Sequence, residues 1–175
     1  MTQFKPLRFQ YQSTVDAPVS SLWRFYMEPG ALERLTPPLS WFRVIDPGEG
    51  VAEGSILEAT VGPWPVQQRW VAFHAAVRPE QSFVDLALES PFEYWVHLHQ
   101  FDAADDNTSR LTDVVWFLPP RGVPRWAGRA IAALALRWTF WWRHRATRNG
   151  LRQRGSKAPA HWNELCADSA SGGSA

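Results

Sequence analysis

Apolar and polar residues alternate with a period of two in seven segments of the chain, and this alternation predicts β-strands. The segments are residues 8–15, 42–46, 55–61, 66–77, 82–88, 92–101 and 110–118. Short turns rich in Gly, Pro and Asp separate most of the last six segments. Because such short connections join antiparallel neighbours, the pattern predicts an antiparallel meander.

Two short helices are predicted between the first and second strands. Asp16 and Pro18 mark the start of one helix, since Asp caps helix N-termini and Pro is favoured in the first turn. Gly30 ends this helix, and a second helix over residues 31–35 stops before Pro37. The apolar stripe of the first helix recurs every three or four positions and consists of Val19, Leu22, Trp23 and Tyr26.

A long C-terminal helix is predicted from Pro124 to about Asn149. The apolar period changes to 3.6 here, and Asn149 with Gly150 forms the predicted stop signal. Leu136 and Phe140 lie among basic residues, which suits a membrane interface, a dimer contact or coverage by loops. The stripe that we expect to pack on the sheet consists of Ile131, Leu134, Ala135, Trp138, Trp141 and Trp142.

The order of these elements predicts an α+β fold. A seven-stranded curved antiparallel sheet would have one apolar face covered by the long helix. A curved sheet wrapped around a helix leaves a space between the two, and ligands bind in such spaces. We place the domain at residues 7–150, after an N-terminal extension over 1–6. The C-terminal tail, residues 151–175, ends in a small and polar stretch that we expect to be disordered.

Several motifs are shared with a known group of proteins. On these motifs the chain resembles the SRPBCC superfamily, whose helix-grip members include START lipid-binding domains, birch-pollen-allergen-like proteins and polyketide cyclases. Segment 91–101 is similar to a bacterial subgroup described as ligand-binding or cyclase/dehydrase-like. The resemblance implies a helix-grip fold and either ligand binding or a cyclase-like reaction. The motifs are Asp16-Ala17-Pro18, Leu22-Trp23 and Phe25, Leu35-Thr36-Pro37-Pro38, Trp41-Phe42, Phe83-Val84-Asp85, Pro91-Phe92, the run from Trp95 to Phe101, Thr112-Asp113 and Pro119.

Composition narrows the class of protein and its compartment. Apolar residues make up 45% and charged residues 20% of the 175 residues, as in a soluble protein with one domain. Residues 1–6 lack the apolar stretch of a signal peptide. A single cysteine, Cys166, excludes an internal disulfide and a zinc site built from cysteines. We therefore expect a cytoplasmic protein.

Charge is divided unevenly along the chain. Residues 1–120 contain 8 Lys/Arg and 15 Asp/Glu, whereas residues 121–175 contain 10 Lys/Arg and 2 Asp/Glu. A basic helix lying against an acidic sheet explains this division. The alternative is a surface over residues 125–154 that meets an anionic membrane or a protein partner. We expect no nucleic-acid partner, because no recognised motif accompanies the basic residues.

A row of titratable residues is predicted on one face of the sheet. His97 and His99 share a face of the sixth strand, and Asp85 and Asp113 lie on neighbouring strands. We add Arg69 to this row. The row is either a buried, paired group or an exposed ladder of ion pairs, and the sequence favours neither.

The two histidines have three possible uses. Two His at positions i and i+2 with one acid could hold a metal ion, with Asp85 or Asp113 as the third ligand. Alternatively, each His satisfies a neighbouring carboxylate, or the group orients a ligand and transfers protons. We expect no metal and no cofactor, and take His97, His99 and Asp113 as candidates for acid–base catalysis in a cyclase- or dehydratase-like enzyme.

Aromatic residues give the strongest functional indication. The chain carries 11 Trp, 10 Phe and 3 Tyr, more than a minimal core requires. We expect a monomer or homodimer that binds a lipid, an isoprenoid or quinone, or a polyketide-like molecule between the sheet and the long helix. The residues expected to contact it are Trp23, Arg69, Phe83, Asp85, Trp95, His97, His99, Phe101, Asp113, Phe117 and Trp138.

Overall fold

The computed structural model describes residues 5–38 and 40–155 of the chain. The tail end that the sequence predicts to be disordered, and Cys166, lie outside these residues. Within the described part of the chain, no helix is long and apolar enough to cross a membrane.

Ten elements follow one another in the predicted order. The seven strands form one antiparallel sheet with the order β1-β7-β6-β5-β4-β3-β2, so the predicted meander and the α+β architecture are confirmed. The strands are β1 (Leu7–Val15), β2 (Arg43–Asp46), β3 (Ile56–Val61), β4 (Gln68–Arg78), β5 (Ser82–Glu89), β6 (Tyr94–Ala103) and β7 (Ser109–Leu118). The helices are α1 (Val19–Met27), α2 (Ala31–Leu35) and α3 (Arg125–Gly155).

Strand register brings the titratable residues of the central strands side by side. Asp85 on β5 is paired with His74 on β4 and with His97 on β6. His99 on β6 is paired with Asp113 on β7. Directly opposed residues project from the same face of a sheet. These five side chains therefore share the face that α3 covers.

The face of α3 that packs on the sheet is not the predicted one. Ile131 is 66% exposed, Leu134 74% and Trp138 53%, so the predicted stripe faces outward. The buried stripe instead follows a spacing of three or four residues through Ala132, Leu136, Phe140, His144 and Thr147. Both stripes follow helical spacing and are apolar along much of their length, so spacing alone does not show which one faces the sheet.

The end of α3 also differs from the prediction. Asn149 and Gly150 do not stop the helix, which continues to Gly155. A Cβ atom on Gly150 would lie 2.6 Å from Cε2 of Phe25, a residue of α1. The glycine is therefore required for a close approach between α3 and α1, and not for a C-terminal turn.

Two apolar clusters make up the core, and a polar layer lies between them along the strands. One cluster contains Phe101 of β6 and Leu111 of β7; the other contains Phe117 of β7 and Phe140 of α3. Asp113 lies between Leu111 and Phe117 on β7, and it is fully buried. A polar group in such a position must be paired to be tolerated.

Candidate functional site

Asp113 is the centre of the polar layer. Its carboxylate accepts hydrogen bonds from His97 Nε2 at 2.8 Å and from His144 Nε2 at 2.7 Å. His99 Nδ1 also lies 2.8 Å from Asp113 Oδ1. This third contact is short but poorly aligned, so it acts through charge more than as a well-formed hydrogen bond. Three imidazoles thus surround one carboxylate that has no access to solvent.

Asp85 forms a second centre nearer the surface, with 22% of its side chain exposed. Oδ2 of Asp85 lies 3.1 Å from His99 Nε2 and 3.7 Å from His97 Nδ1. Oδ1 lies 3.2 Å from His74 Nε2. His97 and His99 therefore each bridge the two carboxylates, with one ring nitrogen toward Asp113 and the other toward Asp85.

The two carboxylates are held in their ionised form. Burial acts to raise the pKa of Asp85, but the hydrogen bond from His99 and the positive charge available on the neighbouring histidines outweigh it and lower the pKa to about 2. Burial opposes ionisation of Asp113 as well. The charge of His99 and the hydrogen bonds from His144 and His97 hold the pKa of Asp113 well below its usual range.

The pKa values of the two bridging histidines, His97 and His99, are shifted in opposite directions. Burial lowers the pKa of His97 to about 4, and the charge of His99 adds to this effect against the pull of Asp113 and Asp85. For His99, burial is outweighed by the charges of Asp113 and Asp85 and by the hydrogen bond to Asp85, so its pKa is raised. Burial and the charge of His99 thus favour the neutral form of His97, while the two carboxylates favour the protonated form of His99.

A second set of contacts attaches α3 to this layer. His144 Nε2 donates to Asp113, and its Nδ1 lies 2.7 Å from the Ser13 hydroxyl, so the ring joins β1 to β7 through two hydrogen bonds. The hydroxyls of Tyr26 and Thr147 lie 3.3 Å apart. Burial raises the pKa of Tyr26, so its phenol stays neutral. These bonds position α1, β1 and α3 around the same carboxylate.

A cavity of about 310 Å³ opens beside Asp85. Its walls come from α1, α2, β3, the residues between β2 and β3, and Arg143 of α3. Apolar side chains dominate these walls, among them Leu35, Leu57 and Phe83, while His74, Asp85 and His99 form a polar group on one side. The volume lies at the lower end of the range for small-molecule sites.

Only some of the residues that the sequence predicts for the site line the cavity. Phe83, Asp85 and His99 line the cavity. His97 and Asp113 lie behind them and are buried. The residues that pack in the core or beside it without lining the cavity are Trp23, Trp95, Phe101 and Phe117.

Two of the proposed residues lie outside the site altogether. Arg69 is on the opposite face of β4, with half of its side chain exposed, and pairs with Glu58 at 2.9 Å and Glu89 at 3.0 Å. The prediction that Arg69 belongs to the row is wrong. Each face of β4 carries both polar and apolar residues, so alternation does not show which face is buried, and only strand pairing decides this. Trp138 lies on the outer face of α3, stacked on Trp141 with a centroid distance of 5.2 Å.

Sequence reasoning missed four residues of the site. His74 lies on the face of β4 opposite to Arg69, Tyr26 lies on α1, and His144 and Arg143 lie on α3. The alternation of β4 did group His74 with Trp70 and Ala72. A histidine grouped with apolar residues needs a polar partner when it is buried, so the sequence did offer an indication that His74 pairs with a carboxylate.

Three of these residues lie close enough together to hold a metal ion. One ligand atom from each of Asp85, His97 and His99 lies within 4.8 Å of the others. Imidazole nitrogen and carboxylate oxygen are ligands that zinc and iron accept. Within the described ranges, no other group of three such residues meets this criterion.

Comparisons with known proteins place the fold. No family model and no curated protein matches the chain. Among solved structures, it is similar to the Zhui aromatase/cyclase from Streptomyces sp. R1128, with a TM-score of 0.70 and 12% identity over 87% of this chain and 97% of that one. It is also similar to norcoclaurine synthase from Thalictrum flavum, with a TM-score of 0.61 and 16% identity over 84% and 87%.

The chain has the helix-grip fold. The resemblance noted in the sequence is therefore confirmed at the level of the fold. A nucleoside-diphosphate sugar epimerase from Corynebacterium glutamicum is similar with a TM-score of 0.64 and 22% identity over 82% of this chain. The match covers only 29% of that longer chain. Identities this low show the shared helix-grip architecture and leave function to the site itself.

Proposed function

We propose that this helix-grip protein binds a compact hydrophobic molecule carrying one polar group. The observation that carries the proposal is the cavity: Leu35, Leu57 and Phe83 offer apolar contact, and Asp85 and His99 offer a hydrogen-bond acceptor and donor in the same space. Few well-placed polar groups within apolar walls are typical of small-molecule sites. Similarity to an aromatase/cyclase supports the same class of ligand.

The cavity narrows the choice among the ligand classes that the sequence left open. A volume of about 310 Å³ suits a bicyclic aromatic, quinone or polyketide-like body better than a long acyl chain. The rim includes Glu33 and Glu49, while Glu28 is paired with Arg34 and Arg154. Glu33 and Glu49 make no ion pair among the described residues, and Arg143 also lines the cavity, so neither sign of charge predominates and a ligand without net charge is favoured.

Calorimetric titration with 1,4-naphthoquinone and 2-tetralone, as neutral bicyclic probes, tests this proposal. Leu57→Trp fills the cavity and should abolish binding. Ile56→Trp is the matched control, because Ile56 is the next residue of β3 and is 45% exposed. Binding that survives in Leu57→Trp, or that disappears equally in Ile56→Trp, would contradict the proposal. Mass spectrometry of organic extracts of the purified protein would then identify the natural ligand.

Acid–base catalysis is a second candidate function, favoured by the position of His99. A protonated His99 and an ionised Asp85 meet at the cavity wall, where they could exchange a proton with a carbon next to a bound carbonyl. His97 and Asp113 do not line the cavity and would act as positioning residues. Deuterium exchange from solvent into 2-tetralone should be accelerated by the wild type and lost in His99→Gln, because the Gln amide can donate a hydrogen bond but cannot transfer a proton. Exchange at the wild-type rate in His99→Gln would exclude this function.

A further inference from the structure

The polar group beside the cavity has the geometry of a metal centre. We propose that His97 Nδ1, His99 Nε2 and Asp85 Oδ2 bind a divalent transition-metal ion. Metal–ligand bonds of about 2.0–2.2 Å place neighbouring ligand atoms roughly 3.0–3.6 Å apart. The separations from Asp85 Oδ2 are 3.1 Å to His99 Nε2 and 3.7 Å to His97 Nδ1. An ion would fit among the three atoms with small adjustments of the rings.

The surroundings of the three ligand atoms support this assignment. A histidine that binds a metal usually directs its second ring nitrogen to a carboxylate or carbonyl, which orients the ring. Asp113 occupies this position for both histidines, at 2.8 Å from His97 Nε2 and 2.8 Å from His99 Nδ1. His144 in turn holds Asp113 at 2.7 Å. The two rings are thus fixed with their remaining nitrogens toward Asp85.

Charge favours a cation among the three ligand atoms. The carboxylates of Asp85 and Asp113 both contact the two bridging histidines, and a dication would balance these two carboxylates. The other oxygen of Asp85, Oδ1, lies 3.2 Å from His74 Nε2, which leaves Oδ2 for the two bridging histidines.

The ligand set indicates the kind of metal. Two histidines and one carboxylate, with no thiolate, suit Zn²⁺, Fe²⁺ or Co²⁺, and three protein ligands leave positions open for an exogenous molecule. The open side faces the cavity, since Asp85 and His99 line it. The ion would replace the proton between His99 and Asp85, so proton transfer by that pair and metal binding exclude each other.

Titration of chelator-treated protein with ZnCl2, followed by calorimetry, tests the site without any organic ligand. The wild type should bind one equivalent, and Asp85→Asn should weaken binding by at least about 100-fold. Asp106→Asn is the matched control, since Asp106 is an exposed acid in the turn between β6 and β7. Circular dichroism verifies that each variant is folded.

Three results would overturn the metal site. These are a wild type that retains no zinc, an Asp85→Asn variant that binds zinc as the wild type does, and an Asp106→Asn variant weakened as much as Asp85→Asn. If Asp85→Asn does not fold, Co²⁺ serves as the probe in place of Zn²⁺. The d–d absorption of Co²⁺ bound to the wild type must then differ from that of Co²⁺ added to His99→Gln. Naphthoquinone binding by metal-free protein is measured separately, so failure of the metal site leaves the ligand proposal standing.

An independent observation concerns the outer face of α3. Ile131, Leu134, Trp138 and Trp141 recur at spacings of three and four, so they form one stripe, and all four are exposed. Arg129, Arg137 and Arg145 are exposed along α3, and the helix contains no acidic residue. Arg145 lies over the Trp141 ring, 5.7 Å from its centroid. Tryptophan beside arginine is typical of helices that lie in a membrane interface.

We infer that this outer stripe binds an anionic membrane surface. Charge complementarity supports a negatively charged partner. Pairing of two copies through the same stripe would bring Arg137 and Arg145 of both chains together, which opposes that alternative. The inference rests on the outer stripe alone and does not depend on the cavity.

Co-sedimentation with vesicles of phosphatidylcholine and phosphatidylserine at 3:1 tests this inference, with pure phosphatidylcholine vesicles for comparison. The wild type should sediment with the anionic vesicles only, and Leu134→Glu should remain in solution. Ile45→Glu is the matched control, because Ile45 is 59% exposed on β2. Absence of binding at low salt, equal loss in Ile45→Glu, or a dimer in light scattering that Leu134→Glu dissociates would overturn the inference.

Discussion

Asp113 holds the polar layer together more than any other residue. Three imidazole nitrogens lie within 2.8 Å of its carboxylate, and no solvent reaches it. Such a group stabilises the fold only while its partners are in place, because an unpaired histidine would be left buried without an acceptor. The layer is therefore sensitive to single substitutions.

Asp113→Asn should destabilise the protein by about 3 kcal/mol or more, because the amide cannot accept from three imidazoles and carries no charge to pair with His99. Urea denaturation at pH 7 measures this change. Asp106→Asn, an exposed residue, should alter the free energy of unfolding by less than about 0.5 kcal/mol. A change of similar size in both variants would contradict the central position of Asp113.

The lowered pKa of His97 predicts acid sensitivity of the metal-free protein. Because the pKa falls from 6.5 in the unfolded chain to about 4 in the folded protein, the unfolded state binds more protons between these values. The free energy of unfolding should thus decrease as the pH falls from 6.5 to 4, by roughly 3 kcal/mol in total. Urea denaturation across this range should show the decrease in the wild type and a smaller one in His97→Gln.

His99, Asp85 and Asp113 affect the free energy of unfolding over other ranges of pH. The raised pKa of His99 gives stability that is complete below pH 6.5 and is lost as the pH rises through its folded value. The lowered pKa values of Asp85 and Asp113 give stability that is present above pH 3.8 and lost on further acidification. His99→Gln should therefore reduce the loss of stability on the alkaline side, and unfolding curves between pH 6.5 and 9 measure this difference.

At the scale of elements, α3 carries two apolar stripes, and their packing gives a direct test. Phe140 is 2% exposed and stacks on Phe9 of β1 with a centroid distance of 5.6 Å. Phe140→Ala should cost about 3–5 kcal/mol in the free energy of unfolding. Trp138→Ala on the outer stripe should cost less than about 1 kcal/mol. Thermal and chemical unfolding of both variants decides which stripe is packed.

Gly150 provides a test of the approach between α1 and α3. Alanine is favoured over glycine inside a helix by about 1 kcal/mol. At Gly150 the added Cβ would lie 2.6 Å from the Phe25 ring, so Gly150→Ala should lower stability by about 1–3 kcal/mol instead. Asn149→Ala, one position earlier and exposed, serves as the control and should be neutral or stabilising. A stabilised Gly150→Ala would show that the contact with α1 is loose.

At the scale of the whole molecule, the ion pairs made by the described residues of α3 lie at its C-terminal end. Arg152 pairs with Asp16 at 2.8 Å, and Arg154 pairs with Glu28. Within the described residues, Arg129 and Arg137 make no ion pair. The basic helix therefore does not lie against an acidic sheet along its whole length, and its first half presents free positive charge beside exposed tryptophan.

The polar layer that borders the cavity also divides the core of the molecule. Apolar clusters lie on both sides of the polar layer, and the cavity opens where Asp85 reaches the edge of that layer. The tryptophans pack in the core or lie on the surface, and none of those in the described residues lines the cavity. The aromatic content that suggested a ligand therefore belongs mostly to packing, while the ligand proposal rests on the polar group and its apolar walls.

The sequence by itself determined the elements and their order, because the periods of two and 3.6 reflect backbone geometry that local residues set. It also determined that His97 and His99 share a face, since strand alternation is local. Only the tertiary structure decided the partners of these residues: strand register brought Asp85 between His74 and His97, and helix packing brought His144 to Asp113. Which face of β4 and of α3 is buried depends on contacts between distant segments, and period alone leaves both faces open.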